Sequence, residues 1–117
     1  MAIYIRLRNG KCFIVKNRVE YATVSAKRRV VRHILAGEVV ENCPALKSAK
    51  SMLVPATAIT RIAARLLELN LNGTVVMEPA SKEYYSIKVD KDLYDEVKRV
   101  VEELLLSKKS AKGTESS

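Results

Sequence analysis

Nine lysine and arginine residues and a single acid, Glu20, occupy residues 1–36 of the 117-residue chain. The rest of the chain carries equal numbers of acids and bases, so the formal net charge of +8 belongs to this first third. Cationic side chains at this density favour a polyanion, because each phosphate they neutralise releases condensed counterions. The distribution therefore predicts a nucleic acid as partner. The predicted phosphate contacts are Arg6, Arg8, Lys11, Lys27, Arg28, Arg29, Arg32 and, later in the chain, Lys82.

Residue types that support catalysis are few and dispersed. His33 is the only histidine, and it lies among cations without a neighbouring carboxylate. Cys12 and Cys43 lack the spacing of a zinc module and are interpreted as packing thiols, neither nucleophiles nor a disulfide scaffold. The chain has no phosphate-binding glycine loop, and Asp90 and Asp92 fit a helix start. We therefore predict a protein that is not an enzyme and requires no metal or cofactor.

The N-terminal segment is predicted to be a β-hairpin. Apolar and polar residues alternate over residues 2–8, and Asn9-Gly10 is typical of a two-residue turn. A two-residue loop pairs Leu7 with Cys12 and places Tyr4 and Phe13 on one face, among cations. Those two rings could stack unpaired bases, a mode of single-stranded RNA or DNA binding. The alternative is that both rings pack against another element.

Most of the remaining chain is predicted to be helical. Apolar residues recur at helical spacing from Ser25 to Gly37, which indicates a helix with a cationic surface. A short helix over residues 45–52 and a longer one over residues 56–69 follow, with prolines placed at their first turns. Residues 74–78 and 84–89 are typical of strands. A last helix is predicted over residues 90–106, and residues 107–117 are predicted to be a disordered tail.

The order of these elements resembles the winged helix-turn-helix superfamily over residues 26–89. The resemblance includes spacing: a small residue at Ala49 and apolar residues at Val54, Ile59 and Ile62 match the positions that lock two helices at a steep angle. It implies that the second helix reads the DNA major groove and that Lys82 lies at the tip of the wing. The groove-reading residues that the resemblance implies are Thr57, Thr60, Arg61, Ala64 and Arg65.

The last helix carries an apolar stripe that suits two roles. Winged regulators often form dimers through such a C-terminal helix, which favours a homodimer. Packing against the chain's own core is the alternative. The predicted dimer seam is Leu93, Val97, Val100 and Leu104.

Together these features predict an α+β protein, a winged helix-turn-helix with an N-terminal β-hairpin and a C-terminal helix, forming one domain over residues 1–106. The predicted function is double-stranded DNA binding in transcriptional regulation or DNA organisation. An RNA-binding or ribosome-associated protein that uses the basic hairpin, or a protein-interaction subunit of a larger assembly, remains open. No apolar run approaches a membrane span, so a cytoplasmic protein without membrane contact is expected. The composition, without glutamine or tryptophan, is typical of proteins from hot environments.

Overall fold

The computed structural model describes the backbone of residues 2–25 and 28–116 and the side chains of residues 2–17 and 34–106. It confirms the α+β class, with a six-stranded mixed sheet and two helices. A short 3₁₀ turn precedes each helix. The elements are β1 (Ala2–Arg6), β2 (Cys12–Ser25), β3 (Arg28–Val40), β4 (Ala49–Pro55), α1 (Ile59–Leu69), β5 (Thr74–Pro79), β6 (Tyr84–Asp90) and α2 (Tyr94–Ser116).

The sheet has the strand order β3-β2-β1-β5-β6-β4. Only the central pair, β1 with β5, is parallel, and every other neighbouring pair is antiparallel. The consecutive strands β3 and β4 therefore lie at opposite edges, about 24 Å apart at about 4.8 Å per strand spacing. Residues 41–48, here called the strap, bridge that distance. The strap crosses the face of the sheet opposite to the helices, which we call the open face.

The core lies between the sheet and the two helices. Strand β1 alternates buried and half-buried residues, so that Ile3 and Ile5 point towards the helices. Helix α1 buries Ile62 and Leu66, one helical turn apart, and α2 contributes the fully buried Val97. Alternation in the strands and helical spacing in α1 and α2 thus converge on one apolar layer.

The predicted N-terminal hairpin is confirmed, but its predicted register is wrong by one residue. Arg6, rather than Leu7, pairs with Cys12. The loop is longer than two residues, because Leu7 accepts a hydrogen bond from the Gly10 N–H (2.9 Å) and donates its own N–H to Lys11 (2.8 Å). Gly10 has a positive φ of 92°, as a type I turn with a bulge requires. A shift of one residue moves every side chain of β2 to the other face.

The helix predicted between Ser25 and Gly37 is wrong, because this segment belongs to the hairpin of β2 and β3. The pairing runs from Cys12 opposite Val40 to Ser25 opposite Arg28. β-branched and aromatic residues recur over residues 19–34, and they favour a pleated strand over a helix. Gly37 is not a helix cap: a Cβ there would collide with the carbonyl oxygen of Ile14, which explains a glycine within a strand.

The first helix of the winged motif is also absent, so the winged helix-turn-helix is not confirmed. Residues 49–55 of the predicted pair of helices and turn form strand β4, which pairs with β6 along its whole length. Alternation explains the strand, since Val54 is buried and Met52 packs against the core while Leu53 between them is exposed. The predicted second helix and the two following strands do form, as α1, β5 and β6.

The predicted C-terminal helix is confirmed as α2, and it continues to Ser116. Residues 107–116, predicted as a disordered tail, therefore have helical backbone. Extension of an existing helix adds one hydrogen bond for each residue fixed and avoids the cost of nucleation. In the part of the chain that the structure describes, no helix combines the length and the apolar character needed to cross a membrane.

Candidate nucleic-acid interface

The predicted phosphate contacts fall into two groups at opposite ends of β2. Arg6, Arg8 and Lys11 lie at the end of β1 and in the first loop, whereas Arg28, Arg29 and Arg32 lie on β3 towards the far end of the hairpin. Lys27 falls outside the described residues. Because β2 has 14 residues, the two ends are about 45 Å apart at about 3.3 Å per residue. The predicted phosphate contacts on the described residues therefore do not form one compact cationic patch.

The first group is organised by contacts between two loops. Strands β1 and β5 are parallel neighbours, so the loops that follow β1 and β5 meet at the same end of the sheet. The Arg8 guanidinium donates hydrogen bonds to the carbonyl oxygens of Ser81 (3.2 Å) and Lys82 (3.0 Å). It also lies over the Tyr85 ring at 5.4 Å. The structure thus brings Arg8 and Lys82 together, although Arg8 already serves as a brace between the loops.

The second group lies on a two-stranded ribbon, defined here as residues 17–25 of β2 and 28–36 of β3. Strand β1 pairs with β2 only as far as Val15, so from Asn17 onwards β2 pairs with β3 alone. The ribbon is about 30 Å long at about 3.3 Å per residue. Residues 16–33 hold six lysines or arginines and one acid. A two-stranded ribbon of this kind has a width that the major groove of B-DNA admits.

Helix α1 lies beside the base of the ribbon and contacts both β2 and β3. A cleft of about 300 Å³ between the helix and the ribbon is lined by Lys16, Asn17, Ala64, Leu67 and Glu68. The sheet is irregular at this point, where the pairing skips Lys16 between Val15 and Asn17. Such an extra residue bends a strand and increases its twist. The bulge therefore lies where the ribbon leaves the body of the sheet, and α1 supports that point.

The groove-reading residues implied by the winged resemblance are not all accessible. Thr57, Thr60 and Arg61 are exposed, but Ala64 is buried. Arg65 is exposed and donates to Glu68 one turn later, at 2.9 Å. Ala64 is not part of the core cluster, and it lines the cleft at the base of the ribbon. A ligand on α1 could therefore contact the other four residues but not Ala64.

The two aromatic residues proposed for base stacking are on opposite faces of the sheet. Tyr4 is adjacent to the buried Ile5 on β1 and points to the open face, whereas Phe13 pairs with Ile5 and packs against the core. The one-residue change of register causes this separation. The structure therefore does not bring Tyr4 and Phe13 together as a stacking platform.

The apolar seam predicted to join two copies packs against the chain's own core instead. In α2, Val97 and Val100 are buried, Leu104 is half-buried, and Leu93 is buried in the preceding 3₁₀ turn. All four contact the layer formed by α1 and the sheet. The stripe is apolar, as predicted, but its partner is intramolecular, and a dimer through this seam is not supported.

A disulfide bond joins Cys12 and Cys43, contrary to the prediction from the sequence. The two sulfur atoms are bonded at 2.03 Å, and the bond ties the strap to β2 on the open face. Cys12 is fully buried, but it is bonded to Cys43, so the interpretation of both residues as packing thiols is wrong. The available signal was the even number of cysteines. Their distance in sequence obscured it, because Cys43 reaches Cys12 only when residues 13–42 fold back as a hairpin.

The strap also encloses a cleft against the sheet. This cleft has a volume of about 490 Å³ and includes Arg6, Glu78 and Lys88 on its floor. Glu78 accepts from Lys88 at 3.0 Å and from Arg6 at 3.4 Å. Arg6, a predicted phosphate contact, is therefore already paired with a carboxylate. Val76 lies in the same cleft and is only 2% exposed, although no helix covers this face.

Within the described residues, no group of three or more histidine, cysteine or acidic side chains could hold a metal ion. Comparison of the chain with known family models, with curated proteins and with solved structures gives no match. The candidate interface therefore rests on this chain's own residues.

Proposed function

We propose that the protein binds nucleic acid through the basic ribbon, with double-stranded DNA as its preferred form, and acts in transcriptional regulation or DNA organisation. The observation that carries this proposal is the excess of six cations over one acid in residues 16–33. Four of these cations lie on the described strands of a ribbon that extends beyond the body of the sheet: Arg18, Arg28, Arg29 and Arg32. Release of counterions from neutralised phosphates would supply most of the affinity. A ribbon lying in a groove would contact phosphates on both sides of it.

The loop end of the sheet offers a second contact. Lys11 and Lys82 are exposed there, about 45 Å from the tip of the ribbon. That distance exceeds one helical turn of B-DNA, which is about 34 Å. A duplex that touches both ends would therefore run along the sheet for more than one turn. Arg6 and Arg8 contribute less, because Glu78 and the loop carbonyls already accept from them.

The first test is a titration of the purified protein with random duplex DNA, single-stranded DNA and structured RNA, read by fluorescence anisotropy over a range of salt concentrations. Tighter binding to duplex DNA with a steep salt dependence supports the proposal. Tighter binding to RNA or to single-stranded DNA would keep the ribbon as the binding surface but would show that duplex DNA is not its preferred ligand. Absence of binding to all three would leave a protein-interaction module as the better interpretation.

Removing two cations from the ribbon is expected to reduce the salt dependence. The double variant Arg18→Ala with Arg28→Ala should lower the slope of log K against log salt by about 1.8, because each B-DNA phosphate that a cation neutralises adds about 0.9 to that slope. The reduction should be the same on every duplex sequence, because phosphate contacts carry no sequence information.

The matched control is Lys91→Ala with Arg99→Ala, which removes the same charge from exposed positions far along the chain. Its slope should change by less than half as much. Equal changes in the two double variants would show that net charge alone, and not the ribbon, determines binding.

A narrower form of the proposal retains α1 as a groove reader, as the winged resemblance implies. It is supported by the exposure of Thr57, Thr60 and Arg61 at the start of this helix, and by the fact that Arg61 has no ion-pair partner among the described residues. Under this form, Arg61→Ala should cost about 1–3 kcal/mol on a selected site and nothing on random duplex. Site selection followed by competition binding measures the loss of affinity for the selected site and for random duplex. Equal losses for the selected site and the random duplex would show that α1 does not read the groove.

A further inference from the structure

Strand β3 lies at an edge of the sheet, with one side of its backbone unpaired by any described strand. It has 13 residues, which is long for an edge, and contains neither proline nor lysine. Two of its large apolar side chains are exposed: Ile34 by 48% and Val39 by 55%. Natural proteins usually protect an edge by keeping it short or by placing proline or charged residues, especially lysine, on it. Strand β3 does carry charges, but its arginines lie in the first half and its glutamate in the second. Two antiparallel copies would therefore place opposite charges across from each other.

The sequence of β3 is complementary to itself in the antiparallel direction. Two basic residues flank a pair of valines in its first half. A second pair of valines ends the strand, and an acid lies on each side of it: Glu38 within β3 and Glu41, the first residue of the strap. Leu35 lies midway between the two halves. The two segments are Arg29-Val30-Val31-Arg32 and Glu38-Val39-Val40-Glu41.

We propose that two copies of this chain form a homodimer by antiparallel pairing of their β3 strands, centred on Leu35. In this register Arg32 of one copy lies opposite Glu38 of the second copy, and Arg29 lies opposite Glu41. The valines pair with valines between them. Opposite charges and apolar residues placed directly across from each other stabilise a strand pair. The two sheets then join into one continuous sheet of twelve strands around a two-fold axis.

In this register each of these charged residues lies opposite a residue of opposite charge. In the two neighbouring registers this is not so. A two-fold axis perpendicular to the sheet pairs one residue of β3 with the same residue of the second copy, and it leaves every side chain on the same face of the joined sheet. Moving this central residue by one position shifts every other pairing by two residues, so the permitted registers differ by two. A shift in one direction places Arg32 opposite Val40, and a shift in the other places it opposite Ala36. Both shifts also leave Glu38 opposite an apolar residue. The sequence thus favours one alignment of two identical strands.

The other edge of the sheet lacks these properties. Strand β4 has only seven residues and contains Lys50 and Pro55, features that discourage pairing. Its exposed Leu53 has no complementary segment within β4. Of the two edges, β3 alone has a sequence that matches a second copy of itself.

The dimer does not depend on the proposed function, because it rests on the edge and its sequence alone. It has a consequence for that function, however. In the proposed register the ribbon of each copy lies along the end of its partner's β3, so two ribbons point in opposite directions across the two-fold axis. The ion pairs leave the net charge of the assembly unchanged, and Arg18 and Arg28 remain outside them.

The test exchanges charges at one pair. Glu38→Lys and Arg32→Glu each place like charges opposite each other at two symmetric positions, so each should raise the dimer dissociation constant by about tenfold or more. The double variant Arg32→Glu with Glu38→Lys restores opposite charges and should recover the dimer. Sedimentation velocity over a concentration series measures the dissociation constants, and circular dichroism confirms that each variant is folded. Nucleic-acid titrations of the same variants are separate, so failure of one proposal is distinguishable from failure of the other.

The control is Leu53→Lys, which changes the β4 edge and should leave the dissociation constant unchanged. A wild-type protein that sediments as a monomer at every concentration overturns the proposal. So does a dimer that Leu53→Lys disrupts and Glu38→Lys does not, or a double variant that fails to recover association.

Discussion

Loss of the disulfide through Cys43→Ser is expected to lower the free energy of unfolding by about 3–4 kcal/mol. The bond connects residues 31 positions apart, and closing a loop of that length restricts the unfolded chain by about this amount in the chain-entropy model. The strap would also lose its attachment to β2, although its two ends would still join β3 and β4. Urea denaturation followed by circular dichroism measures the change, which is a large fraction of the stability of a small domain.

The control uses the wild-type protein under reduction. A reductant should lower the stability of the wild type to that of Cys43→Ser, and it should have no effect on the variant itself. If reduction leaves the wild-type unfolding curve in place, then the strap is held by its packing over Val76 and the cleft and not by the covalent bond.

Replacing Leu66 with alanine is expected to destabilise the fold by about 2–5 kcal/mol. Leu66 is fully buried and lies on the face of α1 that packs against the sheet. Its truncation removes apolar contacts and leaves a cavity that a close-packed core fills only in part. The same denaturation experiment measures the loss.

Leu67 provides the comparison within the same helix. It is half-buried and lines the cleft at the base of the ribbon, so Leu67→Ala should cost clearly less. Comparable costs for the two leucines would contradict this packing of α1. The pair also separates the two roles of α1, since Leu66 belongs to the core and Leu67 to the support of the ribbon.

The elements that the sequence predicts correctly are those whose pairing partners are close or whose period is unambiguous. Strand β5 is a short run of β-branched and apolar residues, β6 alternates, and a short loop joins them, while α1 and α2 carry sustained apolar stripes. Local turn chemistry also located the first hairpin, but it did not fix the register. Asn9 does not adopt the positive φ that a two-residue turn requires, since Gly10 is the only residue of that loop with a positive φ.

Residues 25–55 could not be predicted locally because their structure depends on distant partners. The spacing from Ala26 to Leu35 satisfies a helix and a strand alike, and pairing with β2 decides between them. Strand β4 pairs with β6, about 30 residues later at the nearest pair. The two cysteines meet only after the whole hairpin has formed. For the site, the charge of the ribbon was evident from the sequence, whereas its division into two ends of a sheet was not.

The disulfide between Cys12 and Cys43 encloses the ribbon in a covalent ring. The bond joins the first residue of β2 to a residue of the strap just after β3, so both strands of the ribbon lie within one closed ring of the chain. A protease that cuts any single peptide bond between Cys12 and Cys43 therefore opens the ring but releases no fragment. The two halves of such a nicked molecule stay joined until the bond is reduced, and the nicked chain separates into two smaller pieces on a denaturing gel only after reduction.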